Sequence, residues 1–433
     1  MYQKFSKAVM KILFISYDFP YPPTGGSISR DYNLIKQLSK KHELHWINRT
    51  TRGKISQDRI DEMGKYFEEM EIIEWDYEHS ITGLLKSLFT DTPYIIRRFY
   101  SEQMKELVTK SIAKNNFDLI LCDHIYLAQY IPDSVIGKIP VIPNNEDCGF
   151  TFYKRMAEES VFIRRIYARS QWKKLLKYEI EILKKFKVYI TTSEKEKELI
   201  FSYYNEAEIK VIENGVNTDY FYKRENTVKD PTVIFTAWFG YYPNTEAAIY
   251  FAKKIFPLIK KEIPELKFII AGKEPPKSVI ELSSVEGVLV TGYVDDIRDF
   301  LCKASAAVIP LKVGGGTRLK ILEAFSMGVP VISTELGAEG ISAVENKDIL
   351  IGKNEKDFAE KVVKVLKNTE LSEMLSENGR ALAEKKYDWE IIGDELNKFL
   401  CEFVENFNYT NKGNNSNVRS ADTNNKLQYE EIS

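Results

Sequence analysis

The stretch Val313–Thr334, VGGGTRLKILEAFSMGVPVIST, combines residue types that can hold an anion. Its three consecutive glycines, Gly314, Gly315 and Gly316, let the backbone approach a ligand without a Cβ in the way. A helix is predicted to begin at Thr317, so that unpaired amides and the positive end of the helix dipole face the glycine loop. Phosphate is the usual occupant of such a place, and the sequence therefore predicts an anion-binding loop.

Charged residues of this predicted helix support the same chemistry. Arg318 and Lys320 lie in its first turn, where a helix by itself favours acids, so they indicate a negatively charged ligand. Glu323 follows among apolar residues, and Gly328 and Pro330 end the helix before a strand. The alternative is an ordinary turn and a helix with a solvated glutamate. The combination of glycines, cations and acid favours ligand binding over it.

Strands and helices alternate through the second half of the chain, which predicts a doubly wound parallel sheet. The predicted strands are Val233–Thr236, Lys267–Gly272, Val288–Thr291, Ala307–Pro310 and Val329–Ser333. The predicted helices are Asn244–Glu262, Lys277–Val285, Ile297–Lys303, Glu355–Lys367, Leu371–Lys385 and Trp389–Asn406. Asn244 itself is interpreted as a helix N-cap.

The first half begins with a strand at Lys11–Ser16, a loop with Gly25 and Gly26, a helix at Ser27–Lys40 and a strand at Glu43–Asn48. In such a βαβ unit ligands collect at the carboxyl ends of the strands, where the two glycines lie. Further strands are predicted at Glu71–Trp75, Leu119–Cys122, Val141–Pro143 and Val188–Thr191. The dinucleotide fingerprint, the P-loop and the HExxH motif are absent, which disfavours nicotinamide chemistry and P-loop phosphoryl transfer.

The segment Lys154–Lys187 is rich in lysine and arginine interleaved with apolar and aromatic residues. It is compatible with a basic surface that lies on anionic lipid or holds a charged acceptor. The alternative is a long solvated helix that packs its apolar stripe on the sheet, and the sequence alone favours this second interpretation.

Composition bounds the class of protein. The chain has 433 residues, 44% of them hydrophobic, a net charge of −2 and four cysteines without a CxxC pair. These values predict two or three domains, no nucleic-acid partner, no disulfide framework and no zinc site. No apolar run reaches membrane-spanning length, so a cytoplasmic protein, in contact with a membrane surface at most, is expected.

A tight turn and a polar run near Lys210–Asp230 mark a domain boundary. The predicted organisation is a first lobe at 10–213, a second lobe at 214–388, a returning helix at 389–406 and an Asn-rich disordered tail at 407–433.

Two such lobes, with PLKVGGGTRLKILEAFSMGVPVISTELGAEGI in the second, resemble the GT-B glycosyltransferases, specifically glycosyltransferase family 4. The segments GGSISRDYNLIKQL, KVIENGVNTDYF, YYPNTEAAIYF and TGYVDDIRDFLCKASAAVIPL support the resemblance in the family's order. It implies an α/β fold of two Rossmann-like doubly wound lobes with a cleft between them. It also implies transfer of a sugar from a nucleotide diphosphate donor, usually with retention of configuration and without an essential metal. The donor would bind mainly the second lobe and the acceptor mainly the first.

The resemblance also assigns roles to residues. Glu323 matches the second Glu of the family's EX7E motif, which binds the donor ribose hydroxyls, and a carboxylate can accept two bonds from a vicinal diol. Tyr293 and Val294 match the segment whose backbone recognises the nucleobase. Gly25 and Gly26 match the loop of the first lobe that faces the donor phosphates, and His124, in LCDHIYL, resembles the family histidine near the reacting sugar. A histidine at a strand end is otherwise a loop or core residue.

Two positions depart from the family pattern. The first Glu of EX7E, eight positions before Glu323, falls in the glycine run at Gly315, next to Gly316, which leaves the donor sugar and the anomeric outcome open. Many relatives place an Arg and a Lys after the first strand of the second lobe, whereas Ala237–Glu246 has no cation. The hypothesis is therefore that Arg318, Lys320 and the amides at Gly315–Thr317 (Gly315, Gly316 and Thr317) neutralise the departing nucleotide diphosphate. Leu319 is counted with them among the donor-binding residues.

The expected activity is transfer of a sugar to a glycan or lipid-linked acceptor in cell-surface polysaccharide or glycolipid biosynthesis. Two alternatives remain at this point. One is a sugar-nucleotide epimerase of the same architecture, and the other is an inactive nucleotide-sugar-binding subunit, suggested by glycine in place of the first Glu.

Overall fold

The computed structural model describes residues 9–23, 25–50, 55–74, 81–145, 148–159, 161–224, 231–314 and 318–429. The chain divides into two compact units. The first unit comprises Met1–Thr191, Glu196–Ile212 and Gly393–Ser433, and the second comprises Thr192–Lys195 and Glu213–Ile392.

Seven parallel strands form the sheet of the first unit, in the order β3-β2-β1-β4-β5-β6-β7. They are β1 (Lys11–Ser16), β2 (Glu43–Thr50), β3 (Glu69–Glu74), β4 (Leu119–Asp123), β5 (Val141–Asn144), β6 (Val188–Thr191) and β7 (Glu208–Val211). The helices of this part of the chain are α1 (Gly26–Ser39), α2 (Gln57–Gly64), α3 (Ile81–Leu88), α4 (Tyr94–Phe99), α5 (Glu102–Lys114), α6 (Gly149–Glu159), α7 (Phe162–Phe186) and α8 (Glu194–Tyr203).

The central strand β1 shows why this sheet forms. Its sequence KILFIS has no alternation of apolar and polar residues, and every residue after Lys11 is buried. Continuous apolar strands are typical of parallel sheets whose two faces are covered by helices. Neighbouring β4 is buried along its whole length for the same reason. The predicted βαβ start of the fold is therefore confirmed.

Six parallel strands form the sheet of the second unit, in the order β10-β9-β8-β11-β12-β13. They are β8 (Thr232–Thr236), β9 (Lys267–Ala271), β10 (Val288–Gly292), β11 (Ala306–Ile309), β12 (Val331–Ser333) and β13 (Leu350–Ile351). The helices are α9 (Tyr242–Tyr250), α10 (Phe256–Lys260), α11 (Lys277–Ile280), α12 (Arg298–Leu301), α13 (Leu319–Ser326), α14 (Glu355–Lys367) and α15 (Thr369–Leu382).

This arrangement confirms the predicted parallel sheet, with local differences. The predicted helix Asn244–Glu262 is divided into α9 and α10 by a π-helical stretch at Phe251–Ile255. β12 begins at Val331 rather than Val329, because the turn after α13 runs through Gly328 at φ +64° and Pro330. A short sixth strand, β13, pairs with β12 and was not predicted, since its two residues are too few to form a sequence pattern.

The last helix, α16 (Trp389–Tyr429), is longer than the predicted Trp389–Asn406. It runs through most of the segment expected to be disordered. A helix that is already formed extends without a new nucleation step, so a polar segment without proline can continue it. From Gly393 onward α16 belongs to the first unit, where Asn397 Oδ1 lies 2.6 Å from His42 Nε2. A Cβ at Gly393 would lie 2.5 Å from that of Gln37, so α16 packs closely on α1. None of the described helices is both long enough and apolar enough to cross a membrane.

Candidate functional site

The loop after β11 leads to the N-terminus of α13, where the sequence predicts the anion site. Arg318 stands immediately before α13 with a non-helical backbone (φ −90°, ψ 82°). The helix therefore begins at Leu319 rather than at the predicted Thr317, because the chain still bends at Arg318. The other predicted phosphate ligands, Gly315, Gly316 and Thr317, lie outside the described residues.

Gly314 and Arg318 lie against each other in this loop. Gly314 has φ +115°, in the left-handed region that side chains rarely adopt. A Cβ added there would lie 3.1 Å from Arg318 Nη2 and 3.2 Å from the Tyr241 hydroxyl. Arg318 is only 6% exposed, so its guanidinium is held within the protein beside the glycine backbone. Glycine at this position allows the left-handed backbone conformation, and its lack of a side chain leaves room for the guanidinium of Arg318.

Lys320 is held by two contacts from other elements. Its Nζ donates a hydrogen bond to Asn244 Oδ1 at 2.8 Å and lies 4.4 Å from the centroid of the Phe235 ring. Burial lowers the pKa of Lys320 to about 7, and the neighbouring positive charge of Arg318 lowers it further in the same direction. A bound anion would reverse this effect, because an opposite charge favours the protonated amine.

Asn244 links Lys320 to the loop after β8. Its Nδ2 donates to the carbonyl of Trp238 at 2.7 Å, which leaves Oδ1 turned to the lysine. α9 begins at Tyr242 with Tyr241 as its N-cap residue, so the interpretation of Asn244 as an N-cap is wrong. The segment without a cation, Ala237–Glu246, thus contributes the acceptor that positions a cation from α13.

Glu323 lies one turn after Lys320 on α13 and is half-buried. It forms no side-chain hydrogen bond within the described part of the chain, so its oxygens remain available as acceptors. Burial raises its pKa to about 7, and the positive charge of Lys320 opposes the shift. Leu319 packs its side chain against the core of this unit, which leaves only its backbone for a ligand.

The segment predicted to recognise the nucleobase follows the edge strand β10. Tyr293 is 68% exposed and Val294 is half-buried, directly after Gly292 at φ +70°. β10 and β11 are separated by β9 and β8, three strand spacings or about 14 Å. Tyr293 and Arg318 therefore follow the carboxyl ends of strands in one parallel sheet.

The two glycines of the first unit stand at the N-terminus of α1. Gly25 precedes the helix and Gly26 begins it, and a Cβ at either position would meet no atom within 4 Å. Gly25 has an extended backbone with φ 178°. Nothing in the described chain therefore requires glycine at these two positions, and the space beside them is open.

His124 follows β4, the neighbour of β1, so it lies at the same sheet edge as Gly25. Its backbone has φ +94° and its N–H donates to the carbonyl of Asn144 at 2.6 Å. The ring packs against Tyr126 and Tyr17, with centroids 3.9 Å and 5.6 Å away. Desolvation lowers its pKa to about 3, so the imidazole is neutral near pH 7. It can exchange hydrogen bonds but carries no charge.

A buried polar network beside His124 was not anticipated from the sequence. Arg30 Nη2 donates to Asn144 Oδ1 at 3.2 Å, and Asn144 Nδ2 donates to Asp123 Oδ1 at 3.1 Å. Burial raises the pKa of Asp123 to about 6, while the hydrogen bond between the carboxyl groups of Asp123 and Asp31 and the charge of Arg30 oppose the shift. The available signal was the Arg30-Asp31 pair on the buried face of α1, where charged residues are otherwise rare.

The structure thus brings Arg318, Lys320 and Glu323 together at the N-terminal end of one helix, with Tyr293 along the same sheet. Gly25 and His124 share a sheet edge of the first unit. Among the described residues no three His, Cys, Asp or Glu side chains converge as a metal site would require. The second unit presents two cations for an anion and a carboxylate for hydroxyl groups. That donor set suits a nucleoside diphosphate.

Comparison with solved structures defines the fold class as GT-B. Sucrose-phosphate synthase from Thermosynechococcus elongatus superposes with a TM-score of 0.66 at 15% identity, covering 92% of this chain and 99% of that one. Anabaena Alr3699/HepE, solved in complex with UDP-glucose, superposes with a TM-score of 0.62 at 13% identity, covering 91% and 100%. At such identities these likenesses establish the shared architecture.

Sequence comparison gives a match within the second unit. Residues 230–368 match the family model of the Glycosyl transferases group 1. An uncharacterised 44.6 kDa protein in the cps region of Klebsiella pneumoniae is 24% identical over 396 residues, which cover 87% of this chain and 96% of that protein. The resemblance to GT-B glycosyltransferases is therefore confirmed.

Proposed function

We propose that this protein is a family 4-like hexosyltransferase that moves a sugar from a nucleotide diphosphate donor to a glycan or lipid-linked acceptor. The donor binds the second unit and the acceptor the first. The reaction retains the anomeric configuration and uses no essential metal ion. Similarity to an uncharacterised protein of the Klebsiella pneumoniae cps region supports a role in cell-surface polysaccharide or glycolipid synthesis. We assign this role to the cytosolic side of the membrane.

One observation carries the proposal: Lys320 is oriented by Asn244 at 2.8 Å in the same short stretch as the buried Arg318 and the half-buried Glu323. Negative charge builds on the nucleotide diphosphate as the glycosidic bond breaks. Arg318 and Lys320, fixed beforehand, neutralise that charge without reorganisation. Glu323 accepts hydrogen bonds from the vicinal ribose hydroxyls, and Tyr293 and Val294 lie where the base is recognised.

The first unit contributes neutral groups to the reacting sugar. His124, with its pKa lowered to about 3 by burial, acts as a hydrogen-bonding partner and not as an acid or base that titrates near pH 7. The open space beside Gly25 and Gly26 admits the donor phosphates without a side chain in the way.

A thermal-shift screen with UDP-, GDP-, ADP- and dTDP-sugars tests the proposal. A bound donor stabilises the fold by mass action, by about 2.7 kcal/mol at a hundredfold excess over Kd. UDP-glucose is the first candidate, because Alr3699/HepE was solved with it. We expect one nucleotide class to raise Tm in the native chain and Arg318→Ala to remove the shift, with Lys105→Ala on α5 as the control. If no nucleotide sugar raises Tm, the proposal fails.

Donor consumption with and without an acceptor separates transfer from its alternatives. A transferase consumes the donor only when an acceptor is present, apart from slow hydrolysis. An epimerase isomerises the sugar without one. A nucleotide-sugar-binding subunit shows the thermal shift but no turnover with any acceptor of a broad panel. Nuclear magnetic resonance of the released sugar or product then assigns the anomeric configuration.

A further inference from the structure

The helices α6 and α7 of the first unit form a hairpin, and the residues at the start of α7 are apolar and exposed. Tyr153 on α6 and Tyr167 on α7 meet edge to face with ring centroids 6.5 Å apart, and Lys154 Nζ lies 5.7 Å from the Trp172 ring. Beyond these contacts lies the hairpin tip, defined as Val161, Phe162, Ile163 and Ile166. Their exposed fractions are 71%, 86%, 82% and 66%.

Such exposure is not explained by the packing of α7. The buried residues of α7 begin at Ala168 and include Leu175 and Leu183, which lie on the opposite face. The expectation that the apolar stripe of this segment packs on the sheet therefore holds for its later turns only. The first two turns of α7 place large apolar side chains in water. Contiguous exposed apolar side chains of this kind mark interaction surfaces.

Positive charge follows the hairpin tip along α7, whereas Glu158 and Glu159 end α6 on the other side of the turn. From Phe162 to Tyr178 the sequence contains six cations and no acidic residue. In the described part of the chain no carboxylate lies within 4.0 Å of four of these cations, Arg164, Arg165, Arg169 and Lys173. At helical spacing Phe162, Ile166, Arg169 and Lys173 follow one exposed stripe, so the apolar tip continues directly into a cationic face.

We propose that the hairpin tip and these four cations dock the first unit on an anionic lipid bilayer. Apolar side chains at the end of a cationic helix suit the boundary between acyl chains and anionic headgroups. A second copy of this chain would oppose like charges, and a nucleic-acid backbone would use the cations but leave the apolar tip in water. The bilayer is the partner that uses both features.

Sedimentation with vesicles tests this docking on the full-length protein. The probe pair is phosphatidylcholine vesicles with and without about 30% phosphatidylglycerol. We expect binding to the anionic vesicles only, with an affinity that falls as salt rises. The variant Phe162→Ser with Ile163→Ser should weaken it about tenfold or more. The triple variant Arg164→Glu, Arg165→Glu and Arg169→Glu should weaken vesicle binding by at least as much. Each cation near an anionic membrane surface raises the binding constant about fivefold.

Matched controls use other exposed positions of the same unit. Phe201→Ser on α8, where the side chain is 52% exposed, and the charge reversals Lys105→Glu and Lys110→Glu on α5 should bind as the native chain does. All substituted side chains are exposed, so thermal unfolding should be unchanged. The proposal is overturned if the native chain does not bind anionic vesicles, if tip and control variants bind alike, or if Phe162→Ser instead abolishes self-association or nucleic-acid binding. The donor thermal shift is measured on the same samples and is independent of vesicle binding.

Discussion

Lys320 Nζ and Asn244 Oδ1 are joined by a 2.8 Å hydrogen bond across 76 positions of the sequence. The asparagine stands in the segment where many relatives have cations, and the lysine reaches that segment from α13. The cation beside the loop after β8 is therefore Lys320 from α13. Its position depends on the uncharged side-chain amide of Asn244.

Asn244→Ala should lower kcat by about 10- to 100-fold, because a charge-assisted hydrogen bond worth about 1.5–3 kcal/mol is lost. Asn244→Asp keeps an acceptor for Lys320 but adds a negative charge near the diphosphate, so donor KM should rise more than kcat falls. Steady-state kinetics with the donor identified by thermal shift measures both. Asn378→Ala, in a surface contact of the same unit with the Lys347 carbonyl, is the control. Native kinetics in both Asn244 variants would exclude the positioning role.

Arg318→Ala should reduce turnover by about 10²–10³-fold, the typical loss when one fixed donor to a developing charge is removed. Arg318→Lys should not restore it, because an ammonium cannot reproduce the planar guanidinium packed beside Gly314. Single-turnover rates separate the chemical step from product release. Turnover close to that of the native enzyme in Arg318→Ala would refute the assignment.

Glu323→Gln should weaken donor binding by about 10- to 100-fold through loss of charged hydrogen bonds to the ribose. The sharper measurement compares a ribose donor with its 2′-deoxyribose analogue. The native enzyme should prefer the ribose form, and the variant should discriminate less. An unchanged preference would show that Glu323 does not contact the diol.

The dependence of kcat/KM on pH should be bell-shaped with its centre near 7. Burial lowers the pKa of Lys320 to about 7 and raises that of Glu323 to about 7. Activity needs the protonated lysine, which is lost as pH rises, and the ionised glutamate, which is lost as pH falls. The two observed pKa values belong to the interacting pair. Glu323→Gln should remove the fall at low pH, and Lys320→Met should remove the fall at high pH. Profiles that keep both limbs in both variants would contradict this origin.

Arg30→Met should lower the free energy of unfolding by about 3 kcal/mol or more, since it leaves Asp123 buried without its cation. Lys36→Met on the same helix is the control and should change stability little. Urea unfolding followed by circular dichroism measures both. Equal stability of the two variants would mean that Arg30 does not balance the buried acid.

The two parallel sheets could be predicted because many of their strands, such as β1, are continuous apolar runs. Such a run is visible in the sequence without knowledge of the strands that pair with it. The sequence also singled out Arg318, Lys320 and Glu323 as candidates, because charged residues of these types are unusual at the start of an otherwise apolar helix. The hydrogen bond between Lys320 and Asn244 could not be predicted from the sequence, because only the folded chain brings the two residues together. The local residue pattern instead indicated that Asn244 caps a helix. The network around Arg30 was hidden for the same reason, as its members come from three separate elements. The start of α13 was misplaced because the bend at Arg318 leaves no mark in the residue pattern.

The half-titrated pair of Lys320 and Glu323 has a consequence for the energetics of ligand capture. Near pH 7 the empty site carries less positive charge than its residues suggest, because its amine is partly deprotonated. On the proposed function, an arriving diphosphate draws a proton onto that amine while the ribose diol favours loss of a proton from Glu323. The two changes balance within the pair, so we expect the heat of binding at neutral pH to depend little on the ionisation enthalpy of the buffer. The neighbouring acid then holds the proton that makes the amine positive when an anion arrives.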